Sequence, residues 1–77
     1  MQQRHYELRI SPNPAKDFIT ISGGNIKEVI ISEMSGRVLL KSTDKNIDIR
    51  GLVSGVYYVA IETLNGSHVV HKFIKLP

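Results

Sequence analysis

Polar and apolar positions fall into short alternating runs separated by turn residues. The most strand-like run is Val56-Tyr57-Tyr58-Val59-Ala60-Ile61, since branched and aromatic side chains pack well on a pleated surface. It is apolar on both faces, which predicts a central strand over 56–62, buried on both sides. Leu52-Val53-Ser54-Gly55 leads into it. Gly55 provides for a bend or a positive φ, and Leu52 is expected to plug the open end of the core. The other strands are arranged around this one.

A short first strand is predicted over 8–10. It stops at Ser11-Pro12-Asn13-Pro14, because proline lacks an amide donor and biases the residue before it toward extended geometry. Residues 15–17 read as loop. A second strand is predicted over 18–21, with Ile19 and Ile21 on one face, and Gly23-Gly24-Asn25 is turn chemistry. A third spans 26–33, with Val29 and Ile31 on one face. Met34-Ser35-Gly36 closes a hairpin in which Gly36 takes the left-handed position, and 37–41 is the returning strand. After a polar loop, 47–49 alternates as a fifth strand. Asn65-Gly66 predicts a type I′ turn with two positive φ angles. The last strand is predicted over 68–75. There Val69 and Phe73 share one face and Val70 and Ile74 the other, and alternation alone does not say which face is inside.

Helical spacing is absent throughout. Seven short strands between turn signals predict an all-β fold, a small seven-stranded immunoglobulin-like antiparallel β-sandwich. Its expected core is Leu8, Ile10, Ile19, Ile21, Val29, Ile31, Val38, Leu40, Ile47, Ile49, Leu52, Tyr57, Val59 and Ile61. The 77 residues suffice for one small domain. Residues 1–7 read as an N-terminal tail or linker remnant, and 8–77 as the domain. An apolar share of 42% argues against disorder. With no cysteine, no disulfide staples the fold. No apolar run approaches the ~20 residues of a membrane-spanning helix. Met1 to Glu7 lacks the apolar core of a signal peptide, so an address for export lies elsewhere or is this domain itself.

The net charge of +3 comes from scattered basic residues. Nucleic-acid binding needs them clustered among exposed aromatics, so no nucleic-acid partner is expected. From Thr63 onward there is no acidic residue, and Lys72 and Lys75 make that end locally cationic.

Catalytic and ligand chemistry find little support. Cysteine nucleophiles are excluded by composition. Ser54, within Gly51-Leu52-Val53-Ser54-Gly55, is displaced by one position from a nucleophile elbow. His68 and His71 are three apart, which on a strand points them to opposite faces, so they cannot share a metal ion. They read as two exposed edge histidines. Asp44 and Asp48 lack the spacing of a calcium loop, and Gly23-Gly24 is too short to cradle a phosphate. No catalytic residue, metal or cofactor is expected, and the chain does not read as an enzyme.

An ordered set of residues carries a resemblance. It runs Pro12-Asn13-Pro14-Ala15, Ile19 with Ile21, Val29 with Ile31, Gly36-Arg37-Val38, Ile47-Asp48-Ile49, Leu52 with Gly55-Val56-Tyr57, and Lys72-Phe73-Ile74-Lys75. In this order and spacing the chain resembles the C-terminal sorting domain (type A) of the type IX, or Por, secretion system, over about residues 8–77. Two departures, Ser11 where the family often has an aromatic and Ser32 where it often has tyrosine, bear on packing.

The resemblance implies a secretion signal, a ligand and not an enzyme. It would direct N-terminally fused cargo through the periplasm and across the outer membrane, to the cell surface or beyond. Partners so implied are the type IX outer-membrane translocon and a sortase-like protease that removes the domain. On this view the chain is the tail of a longer protein, and Met1 to His5 are expected to include non-native residues. Lys72, Phe73, Ile74 and Lys75 are the candidate recognition segment, read by shape, by charge or by strand addition. Pro12, Asn13, Pro14, Gly36, Leu52, Gly55 and Tyr57 are its structural support. In the plainer reading, Phe73 and Ile74 only finish the core and the two lysines blunt an edge. An exposed last strand also predicts a weak homodimer by edge pairing. The alternative function is an adhesive or carbohydrate-binding module, which requires a patch of exposed aromatics; only five aromatics are present, and the core needs most of them.

Overall fold

The computed structural model describes residues 8–77; the tail expected over 1–7 lies outside them. All seven predicted runs are strands, and no helix occurs among the described residues. They are β1 (Arg9–Ser11), β2 (Phe18–Ser22), β3 (Ile26–Glu33), β4 (Val38–Ser42), β5 (Asn46–Asp48), β6 (Gly55–Thr63) and β7 (His68–Lys75). They form two antiparallel sheets, three-stranded in the order β1-β2-β5 and four-stranded in the order β4-β3-β6-β7. The central strand expected over 56–62 occupies an inner position of the larger sheet.

The two tight hairpins of that sheet share one geometry. In each, the glycine amide donates back three residues, Gly36 to the Glu33 carbonyl (2.8 Å) and Gly66 to the Thr63 carbonyl (3.0 Å). The Glu33 and Thr63 amides then donate to Arg37 and Ser67. This is a three-residue loop in which a left-handed glycine forms a one-residue bulge; φ is 95° at Gly36 and 90° at Gly66. Asn65-Gly66 is therefore not a type I′ turn, since no described non-glycine residue has a positive φ. The physical reason is local: Asn65 Oδ1 accepts from the Ser67 amide (3.1 Å) and the Thr63 hydroxyl, holding Asn65 in the right-handed half of the turn.

The core lies between the sheets. Leu8, Ile19, Ile21, Val29, Ile31, Ile47, Ile49, Tyr57, Val59 and Ile61 are buried as expected. Ile10, Leu40 and Leu52 pack against them half-buried. Three expectations are corrected. Val38 is exposed, because a bulge shifts the β3–β4 register between Ile31 and Ser32. Leu40 pairs with Ile31 on the inner face, but Val38 pairs with Ser32, which faces out; a one-residue slip reverses the facing of the side chains beyond it. The strand β6 is not buried on both sides. Tyr57, Val59 and Ile61 are buried, while Val56 is exposed and Tyr58 and Ala60 are half-buried, as a two-layer sandwich requires. Ala15, read as loop, is fully enclosed, and Phe73 settles the phase of β7 by facing inward.

Candidate recognition surface

The segment 72–75 divides by alternation into two functions. Phe73 is fully buried, its ring stacked on Tyr57 with centroids 5.5 Å apart. Lys75 is also buried, only 7% exposed, and its ammonium donates to the Leu76 carbonyl at 2.7 Å. Lys72 and Ile74 point out to solvent. The local cationic character expected from two lysines thus reaches solvent chiefly through Lys72. Lys75→Ala would therefore alter a buried site.

The proline-flanked corner contacts this segment directly. Asn13 Nδ2 donates to the Lys72 carbonyl (3.0 Å), and the Ile74 amide donates to Asn13 Oδ1 (3.0 Å). One side-chain amide therefore occupies a donor and an acceptor of β7, as a neighbouring strand would. Ala15 extends the pairing: its amide donates to the Ile74 carbonyl (2.9 Å), and the Leu76 amide donates to the Ala15 carbonyl (2.7 Å). This makes a parallel bridge between Ala15 and Lys75. Pro12 and Pro14, both in cis peptide bonds, flank the asparagine. The corner thus straps the outer edge of β7 over 72–76. The open, poorly protected edge expected for this strand is confined to its first half.

The other residues expected as supports occupy separate places in the fold. Tyr57 donates its hydroxyl to the Val53 carbonyl at 2.6 Å, tying the start of β6 to the loop before it. Leu52, half-buried, packs against the core as a plug. Gly55 opens β6 with a φ of 153°, and Gly36, with a φ of 95°, lies in the β3–β4 hairpin. The two histidines do point to opposite faces, but they are not both exposed. The half-buried His71 donates Nε2–H to the Leu8 carbonyl at 2.8 Å. Among the described residues no cluster of His, Asp or Glu could hold a metal ion.

The outer faces of the sheets differ in chemistry. On the three-stranded sheet, Arg9, Ser11, Thr20, Ser22, Asn46 and Asp48 are exposed and polar. Its one exposed large hydrophobic residue, Phe18, has the Arg50 guanidinium 5.3 Å from its ring centre. Asp48 takes the same guanidinium at 2.7 Å, and these hydrogen bonds lower its carboxyl pKa to about 2. On the four-stranded sheet, cross-strand register puts Ile30, Ala60 and Val70 in one row across three strands, and Val38, Ser32, Tyr58 and Lys72 in another across all four. Val56 stands beside Ile74. Alternation left the facing of β7 open and put Val38 inside, and single-strand patterns carry no record of cross-strand neighbours. Asn13 was legible as part of a corner; its partner, 59 residues away, was not.

Comparison with known proteins agrees with the ordered set of motifs. Residues 9–76 match the family described as the secretion system C-terminal sorting domain. Beta-agarase D of Zobellia galactanivorans is 30% identical over 70 residues. That alignment covers 88% of this chain but spans only 15% of the agarase. No solved structure matches.

Proposed function

The chain belongs to the family of secretion system C-terminal sorting domains, and from that premise we propose how it is read. It is a C-terminal sorting signal of the type IX secretion system, carried by proteins that are exported. The single observation that carries this is the match over 68 residues, counting 9 through 76. In our reading the domain performs no chemistry. Cargo fused at its N-terminus crosses the periplasm, the outer-membrane translocon binds the folded domain, and a sortase-like protease removes it during anchoring or release.

Two features support reading the sandwich as immunoglobulin-like. Strands one, two and five form one sheet, with three, six and seven in the other. The Tyr57 hydroxyl reaches back four residues from the start of the sixth strand, like the tyrosine corner of such folds. The recognition segment in this reading is 72–75, where Phe73 and Lys75 hold the strand and Lys72 and Ile74 are presented. The stretch 1–7 is, in this reading, an N-terminal tail or the remnant of a linker.

Fusion to the C-terminus of an unrelated periplasmic protein tests the function. In a bacterium with the type IX system the passenger should reach the cell surface, and in a strain lacking the translocon it should not. Retention in the periplasm with the system intact would refute the reading. The adhesive-module alternative would then be tested by binding to immobilised polysaccharide.

A further inference from the structure

Four of the large hydrophobic residues exposed among the described ones, Val38, Val56, Val70 and Ile74, lie on the outer face of the four-stranded sheet. Met34, Val53 and Leu76 are exposed at the end of the sheet where β6 begins and β7 ends. We propose that this face, where Val56, Tyr58, Val70 and Ile74 adjoin Lys72, is a docking surface for a partner protein that offers an apolar groove with a carboxylate opposite Lys72. The proposal rests on the sorting function and names the part of the domain that is read.

Three observations carry it. Exposed apolar side chains grouped as Val56, Val70 and Ile74 are here, around one pair of strands, mark a surface that is covered in use. Backbone pairing is closed along this part of β7, because Asn13 and Ala15 already take the Lys72 carbonyl, both backbone groups of Ile74 and the Leu76 amide. A partner reaching 72–76 therefore meets side chains and not a free strand edge. Charge points to an acidic partner. Glu33 is taken by Arg37 and Glu62 by Lys27, while Lys72 forms no ion pair among the described residues. An unpaired cation beside apolar side chains discriminates between partners by sign.

The test uses the passenger fusion with three variants of the domain. Val56→Ser combined with Ile74→Ser should lower surface delivery about tenfold, the scale of losing one packed anchor. Lys72→Glu should lower it by a similar factor through repulsion. Ser22→Lys, on the outer face of the other sheet, should leave it unchanged. Circular dichroism and thermal melting of each purified variant show that it is folded, and Lys72→Glu decides the matter if the serine pair is not. An intact fusion at the surface, with folded face variants delivered equally well, would overturn the docking surface alone. An intact fusion held in the periplasm would overturn the sorting function and this surface with it. Two further measurements assign the face differently and overturn a protein groove. One is co-flotation of the domain with anionic phospholipid vesicles, abolished by the same variants. The other is a dimer in sedimentation that those variants dissolve.

Discussion

The two sheets bury their inner faces alike but treat water differently. In β2, Ile19 and Ile21 go in while Phe18, Thr20 and Ser22 go out, so each position has one task. In β6, Tyr57, Val59 and Ile61 go in, yet Val56, Tyr58 and Ala60 on the outer side are also apolar. Burial of the first kind stabilises the fold at roughly 25 cal/mol per Å². Apolar side chains of the second kind gain little until something covers them. The smaller sheet is therefore explained by folding alone, whereas folding does not account for the apolar outer side of the larger one.

The largest expected effect separates the two sides of β7. Phe73→Ala, which empties a fully buried site against Tyr57, should cost about 3–5 kcal/mol in urea unfolding. The adjacent Ile74→Ala, on the exposed side, should cost far less. Equal costs would mean that the outer face is structural too. Next comes the strap. Asn13→Ala removes both bonds to β7 and should cost about 1–2 kcal/mol. Amide exchange should then speed up at Ile74 and stay slow at Phe73. If Ile74 stays protected, Ala15 alone holds the edge.

A smaller effect concerns the entry to β6. Gly55 has a φ of 153°, where a side chain is disfavoured although the space around it is open. Gly55→Val should therefore destabilise by ~1 kcal/mol through the backbone alone; an unchanged melting temperature would show that the turn relaxes without cost. The smallest effect lies on the polar face. The Arg50 hydrogen bonds hold the Asp48 carboxyl at about 2, below its ordinary 3.8. A lowered carboxylate pKa contributes stability above the unfolded value and loses it as pH falls through the folded one. The window is thus roughly pH 4 down to 2, and full exposure makes the contribution slight. By nuclear magnetic resonance the carboxyl should titrate near 2, and Arg50→Ala should return it to the ordinary range. An unmoved midpoint would show that the pair is not formed in solution.

Legibility followed the range of the interaction. The hairpin at Gly36 and the alternation of Ile19 and Ile21 are local, and both were readable from a few neighbouring residues. The β4 phase was not, because Val38 faces out through a bulge that exists only in the pairing of β4 with β3. At Asn65, the expected turn type failed on a side-chain hydrogen bond two residues long, local in sequence but one that the Asn-Gly pair alone does not specify.

By itself the sequence determined the class of fold, the seven strands, most of the core and, through its ordered motifs, the family. Those follow from periodicity, glycine conformation and the missing proline donor, properties a residue carries wherever the chain goes. Tertiary structure alone decided that Phe73 and Lys75 are inside, that Asn13 straps the last strand, and that apolar side chains from three strands adjoin on one outer face. Each of these depends on which backbone lies next to which, and a single strand's pattern is the same whatever its neighbour.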